Sequence, residues 1–351
     1  MNGAVAPFSF SLMPIINLLN FNSFQKPLLS NDVKNEYKGE RCDFFVDNEI
    51  EKFDIIALQE QFTFINPRPI SLLDKALQKG FTYFYKTKEP KLTGKTLCGD
   101  GLLVLSRFPI LDGDSTIFES SVSIDRLIAK GAMWTLIELP NNRRLHLFNT
   151  HLVATFNHLT QDEYIFCKIK GITQLIQLRC FINEKLEKHF EKGDLAILCG
   201  DLNVNALNNE FSCNEVLDHI EIDNKLRSIL KAENNELKFY ERILEYNNRI
   251  FKMTHTFFKD HQFYPVTMGN YYLDDEGNKI PMEAVITAED ERLDYLSLDH
   301  VYELHTMGEE DKKWLRIVPG STKVEEFFVK NQNFTQLSDH YGLSLEIEYT
   351  I

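Results

Sequence analysis

Six cysteines are spread along the chain, at Cys42, Cys98, Cys167, Cys180, Cys199 and Cys213, with no CxxC pair and no histidine at zinc-module spacing. That excludes a structural zinc site and a disulfide framework, and the thiols read as ordinary buried or free side chains of a reducing compartment. No run of 18 consecutive apolar residues occurs, so no segment reads as a membrane-spanning helix. The opening stretch, Met1–Asn22, is apolar but has no basic n-region, and it reads as the lead into a core strand rather than as a secretory signal. No internal repeat, low-complexity tract or Pro/Gly/Ser-rich linker divides the 351 residues, and one domain is expected throughout. Positive charge is also in short supply. Lys and Arg number 38 against 52 Asp and Glu, a formal net charge of −14, and such a surface repels a polyanion, which disfavours long nucleic acid as a substrate.

What the chain does hold is a series of short apolar runs, each meeting polar residues at its end: Ile15–Phe21, Phe53–Leu58, Leu102–Leu105, Trp134–Leu139, Leu145–Phe148, Leu195–Cys199, His300–Leu304 and Leu343–Tyr349. They read as buried strands with functional ends. Between two of them, Asp162–His189 carries Ile165, Ile169, Ile172, Leu175, Ile176 and Phe181 at helical spacing, a core-packing stripe. Strands mixed with helices in this way fit a two-sheet sandwich with outer helices, and they fit a doubly wound sheet as well. Periodicity leaves both open. The interval from Asn205 to Asp299, with an Asn/Glu/Lys-rich helix at Asn224–Asn248 and the stretch Tyr264–Tyr272, reads as an insertion at about 206–290 on the rim of the core and as a place for specificity.

The strand ends supply carboxylates, amides and histidines in the mixture that a hard cation and a phosphate require. Asn22 closes Leu18–Asn22, and its amide oxygen suits Mg²⁺, although Asn20 sits on the same strand face. Glu60 follows an apolar strand directly, where a cation would offset the cost of desolvating its carboxylate. His151 leaves the strand His146–Leu152 on a polar edge, with an N–H to offer a phosphoryl oxygen. In Gly200-Asp201-Leu202-Asn203 the glycine permits a tight turn, and Asp201 and Asn203 are expected to project on one side. Asp299 stands before His300–Leu304, and Ser338-Asp339-His340 stands before the last strand, offering a carboxylate for metal and a histidine for general-base work.

The order Asn, Glu, His, Gly-Asp-x-Asn, Asp, Ser-Asp-His, set on strand ends, resembles that of the endonuclease/exonuclease/phosphatase (DNase I-like) superfamily, over roughly Pro14–Tyr349 apart from the long interval. Gly99–Ile110, Ala129–Trp134 and Asn149–Ala154 are similar to the corresponding segments of neutral sphingomyelinases. The resemblance implies an α+β fold, a four-layer α/β/β/α sandwich of two mostly antiparallel sheets with helices outside. It implies Asn22 and Glu60 as ligands of Mg²⁺, with Mn²⁺ as a substitute, and Asp339 beside the metal. His151 would stabilise the phosphoryl group, Asp201 would position the attacking water, and Asn203 would hold the phosphate. His340 would be the base and Asp299 its partner, with Asp294 in Arg292-Leu293-Asp294-Tyr295 competing for that place. The implied reaction is hydrolysis of sphingomyelin to ceramide and phosphocholine. A nuclease, an inositol-polyphosphate phosphatase and an inactive binding module are the alternatives.

The segments that mark the 5-phosphatases are missing: no Trp stands two residues before Gly200, and there is no Pro-x-Trp-Cys-Asp-Arg. The implied partner is phospholipid at a membrane surface, met by exposed Phe62, Phe64, Ile65, Tyr271 and Tyr272. No protein partner is implied. A cytoplasmic or peripheral-membrane location fits, and secretion stays open.

Overall fold

A computed structural model describes residues 15–22, 37–62, 68–87, 99–118, 129–155, 160–212, 214–287, 289, 291–306 and 314–349. In chain order the elements begin with β1 (Ile15–Asn22), α1 (Lys38–Asn48), β2 (Ile55–Gln59), α2 (Arg68–Gln78), β3 (Tyr83–Lys86) and β4 (Leu103–Ser106). There follow β5 (Ile110–Ile117), β6 (Gly131–Leu139), β7 (Arg143–His151), α3 (Gln161–His189) and β8 (Leu195–Asp201). The long interval holds α4 (Asn214–Leu217), α5 (Asn224–Lys231), α6 (Glu236–Glu245), β9 (Phe251–His255), α7 (Thr256–His261), β10 (Tyr271–Leu273) and β11 (Lys279–Pro281). The chain ends through β12 (Asp299–Thr306), β13 (Leu315–Ile317), β14 (Lys323–Glu325) and β15 (Gly342–Tyr349).

One sheet has the order β13-β15-β1-β2-β4-β3, with β14 also on β15, and the other has the order β5-β6-β7-β8-β12-β9. Among the described residues only β1/β2 and β7/β8 run parallel. The alternation of side chains along each strand builds the layers. Ile55 and Ala57 of β2 face Met133 and Ile137 of β6, Leu145 and Leu147 of β7, and Ile197 and Cys199 of β8 in a core between the sheets. Ile56 and Leu58 turn the other way, onto Phe45 and Val46 of α1 and Leu72 and Ala76 of α2. Trp134, Phe148, Ala196 and Leu198 point outward onto Ile172, Leu175, Leu178 and Ile182 of α3. The result is the α/β/β/α sandwich. Each fully buried Leu, Ile or Phe in these layers contributes about 1.5–3 kcal/mol of transfer free energy.

Helix α3 starts where Thr160 and Glu163 form a capping box, each side chain serving the other's backbone N–H. The interval at 206–290 is more than rim. Its helix divides into α5 and α6, because Asn235 leaves the helical conformation to cap α6 through Lys238 N–H. Leu230, Leu237, Phe239 and Leu244 pack into the α3 core, and a buried Lys168–Glu236 ion pair ties α6 to α3. Strand β9 completes the sheet edge on β12.

Candidate active site

Strand parity decides what stands at the mouth of the inter-sheet core. Counting on from Leu145 and Leu147 brings Asn149 and His151 to the inner face, from Ile197 and Cys199 it brings Asp201, and back from Val301 it brings Asp299. The pairing places these ends side by side, with Asp299 opposite Asp201 and Asp201 opposite His151. Gln59 Nε2 donates to Asn149 Oδ1 at 2.7 Å, and Asn149 Nδ2 donates to Leu58 O at 2.9 Å, a buried amide link that joins the two sheets beneath the mouth. Above it the other sheet contributes Glu60, in a left-handed conformation at φ 59°. Asn22 ends β1 opposite Gln59 in register; its side chain and that of Asn20 lie outside the described residues.

His340 Nδ1 lies 2.8 Å from Asp299 Oδ2, while Asp299 Oδ1 is buried with no partner. Asp201, Asp299 and His340 present ligand atoms within 4.8 Å of one another. Asp294 belongs instead to the turn against Gly269, whose Cβ position would lie 2.2 Å from Asp294 O. Ser338 Oγ donates to Asp339 Oδ1 at 3.2 Å and accepts from His340 N–H. That leaves Asp339 partly exposed, close enough to raise the pKa of Glu60.

Two features depart from the sequence reading. Gly200 makes no turn: it lies within β8 at φ 146°, where any Cβ would stand 2.0 Å from Thr150 O, so it is required by the close approach of β7. Asn203 does not alternate with Asp201 but folds back at φ 51°. Its N–H donates to Asp201 Oδ1 at 2.8 Å and its Nδ2 to Leu152 O at 2.9 Å.

A residue left without a role in the reading of the sequence stands in the middle of the cluster. Lys130, 6% exposed and one residue before β6, holds its Nζ 2.8 Å from His151 Nε2. An ammonium only donates, so this nitrogen of His151 accepts and Nδ1 carries the proton, buried without a partner. His151 Nε2 also lies 3.4 Å from Asp201 Oδ2. The signal in the sequence was a lysine placed immediately before a glycine and an apolar strand, which reads equally well as a solvated charge.

The electrostatics are those of an incomplete set. Burial lifts the Glu60 carboxyl from its ordinary 4.5 to about 8; Lys130 opposes the shift, and Asp339 and Asp201 add to it. Burial and the neighbouring Asp299 lift Asp201 from 3.8 to about 7. Burial, Lys130 and His340 push His151 well below its usual range and keep it neutral. Burial disfavours charge on His340 too, but Asp299, Asp201 and Asp339 outweigh it and hold the pKa well above the usual value. Clustered carboxylates with raised pKa values and an orphaned Asp299 oxygen make a mainly oxygen donor set that fits a hard divalent cation.

Beyond the mouth, the hairpin β10–β11 and the turn after it expose Tyr272, Leu273, Leu293 and Tyr295. Phe62, expected on this rim, is buried, its ring packed against Gly101, where any Cβ would lie 2.8 Å from it. Phe64 and Ile65 lie outside the described residues.

No family model matches the chain. It is similar to a sphingomyelinase of Dictyostelium discoideum, with 32% identity over 340 residues, covering 84% of this chain and 71% of that protein. Among solved structures it is similar to sphingomyelinase C from Streptomyces griseocarneus, with a TM-score of 0.59 and 18% identity, covering 95% of this chain and 99% of that one. Beta toxin from Staphylococcus aureus with bound magnesium ions gives a TM-score of 0.59 and 16% identity, over 96% of this chain and all (100%) of that one.

Proposed function

The chain belongs to the sphingomyelinase family, and from that premise we propose that it is a Mg²⁺-dependent phosphodiesterase that hydrolyses sphingomyelin to ceramide and phosphocholine. The observation that carries this reading is the mouth itself: Glu60 and His340 at strand ends of one sheet and Asp201 and Asp299 at strand ends of the other, with a buried carboxylate oxygen that has no partner.

His340 donates through Nδ1 to Asp299; neighbouring carboxylates hold its pKa up, and with their charge offset by a bound cation Nε2 is free to take a proton from water. Asp299 fixes the tautomer and offsets the charge that the ring acquires. Asp201 sits beside this pair and orients the water. The water oxygen attacks phosphorus in line, the bond from phosphorus to the ceramide oxygen breaks, and that oxygen takes a proton from solvent. Charge developing on the phosphoryl oxygens meets neutral His151, the Lys130 ammonium beside it and the Asn203 amide. Glu60, Asp339 and the amide of Asn22 would hold Mg²⁺, with Mn²⁺ as a substitute, and the bound cation supplies charge that offsets the carboxylates and the phosphate.

The exposed Tyr272, Leu273, Leu293 and Tyr295 support a peripheral seat on lipid. Among the described residues no helix is long and apolar enough to cross a membrane. One functional unit comprising both sheets and the 206–290 interval is part of the same reading.

The test is purified protein with Mg²⁺ against sphingomyelin, lysophosphatidylcholine, an inositol phosphate and abasic DNA. Phosphocholine release from sphingomyelin is expected to dominate. Nicking of DNA or phosphate release from the inositol substrate, without phosphocholine release, would keep the fold assignment and overturn the substrate.

A further inference from the structure

The stretch Tyr264–Tyr272, which the sequence marks only as a rim segment, runs between the two halves of the His340–Asp299 pair. Strand β9 pairs with β12 only from Tyr302 to Thr306, so among the described residues the lead into β12 has no strand on that side. Thr267 takes that place. It is fully buried, and its Oγ1 accepts from Leu298 N–H at 2.9 Å and from Asp299 N–H at 3.0 Å. Its own N–H donates to Leu296 O at 2.8 Å, and its carbonyl accepts from Tyr341 N–H at 2.7 Å. Met268 next to it bridges both Leu296 and His340. Gly269 then turns the chain away at φ 67°, against Asp294 O, where a side chain has no room.

One residue therefore bonds to the backbone of Asp299 on one side and to the residue after His340 on the other. The two catalytic groups lie 41 residues apart in sequence, and Asp299 and Tyr341 each donate directly to Thr267. We propose that Thr267 is a positioning residue of the hydrolysis, whose hydroxyl sets Asp299 at the angle that His340 requires. The proposal rests on the reading of His340 as base and Asp299 as its partner. Valine has the shape and backbone preference of threonine but accepts no hydrogen bond, so Thr267→Val leaves two buried N–H groups unpaired and lets the start of β12 shift. Misplacing a catalytic group by 1 Å costs about a hundredfold, and a smaller shift is expected to cost about tenfold.

The experiment measures kcat and KM on sphingomyelin for purified Thr267→Val and Thr267→Ser, alone and combined with His340→Ala, with melting temperatures for each. Thr267→Val is expected to lower kcat about tenfold with KM within about twofold, and Thr267→Ser to restore kcat to within about threefold of the parent. With His340 already removed, Thr267→Val should cost nothing more in the residual rate, because its effect passes through that base. Equal losses with and without His340 would mean that the hydroxyl merely supports the fold, and a parental kcat for Thr267→Val would remove Thr267 from the reaction altogether. If the valine variant does not fold, Thr267→Cys replaces it, a thiol being a far weaker acceptor; a cysteine variant as fast as the serine one overturns the proposal. A parental rate for His340→Ala alone sinks the assignment of the base, a result separate from any failure of Thr267.

Discussion

Strands β7 and β8 bring a histidine and an aspartate together at each of their ends, and the two pairs have opposite characters. At one end Asp194, just before β8, accepts from Arg144 Nε and Nη2, from His146 Nε2 at 2.9 Å and from Glu191 N–H. Burial works to raise its pKa, but these donors win and lower it. His146 is complete as well, since its Nδ1 accepts from Trp134 Nε1. At the other end, roughly 16 Å along the strand, Asp201 is raised to about 7, and His151 Nδ1 and Asp299 Oδ1 have no partner. Both pairs join a histidine to an aspartate and both are buried, although Asp194 is nearer the surface, and they differ in whether the hydrogen-bonding set is closed. A closed set holds the fold together, whereas an open one in a mouth between two sheets is held ready for a ligand.

The sharpest way to break this comparison is to strike both ends. His340→Ala and Asp299→Asn are each expected to lower kcat at least about a hundredfold while leaving the melting temperature close to that of the parent. Asp194→Asn should do the reverse, costing about 1–3 kcal/mol in denaturant unfolding with kcat within about twofold. If Asp194→Asn lowers kcat as far as His340→Ala does, the two ends are not functionally distinct.

Next in size is Glu60→Gln, which keeps shape but removes the charge that the cation requires. The Mg²⁺ concentration for half-maximal rate should rise about tenfold or more. An unchanged Mg²⁺ dependence would remove Glu60 from the metal site.

A pH series sharpens the contrast without any substitution. In metal-free protein Glu60 is raised from 4.5 to about 8 and Asp201 from 3.8 to about 7. The fold therefore binds more protons than the unfolded chain across that window. Their contribution to stability is full below pH about 4 and is lost as pH climbs through about 7 to 8. The melting temperature in EDTA should fall from pH 5 to 8, and the gain on adding Mg²⁺ should be larger at pH 8 than at pH 6, because the cation competes with those protons. A gain independent of pH would separate the cation from these carboxylates.

The smallest effect concerns the rim. Leu273→Ala removes an exposed side chain from the hairpin, and it should slow hydrolysis on vesicles by about fivefold with little change on a short-chain soluble substrate. Equal effects on the two would place the hairpin in the chemistry rather than on the membrane.

Much of this was legible before any coordinates. Apolar runs ending in polar residues gave strand positions that agree closely with the fold, because burial on alternate faces imposes the pattern. The same alternation brings His151, Asp201 and Asp299 to one end once the parallel register of β7/β8 and the antiparallel register of β8/β12 are known, and register is what a single sequence withholds. Lys130 was illegible because its partner, His151, is set by the antiparallel pairing of β6 with β7. The long interval read as rim because its Asn- and Lys-rich helices hide how Phe239 and Phe251 reach the core of α3. Thr267 carried no signal at all, since a threonine that accepts from backbone N–H groups 31 and 32 residues away looks like any other turn threonine.

The measurement that bears most directly on the open mouth is the initial rate of phosphocholine release from sphingomyelin in mixed micelles, followed as Mg²⁺ is titrated into EDTA-treated protein. A rate that rises from background and saturates with Mg²⁺, and that stays at background throughout for His340→Ala, is the predicted result. A rate already full in EDTA, or one that His340→Ala retains, would contradict the claim that this mouth is completed by a divalent cation and works through His340.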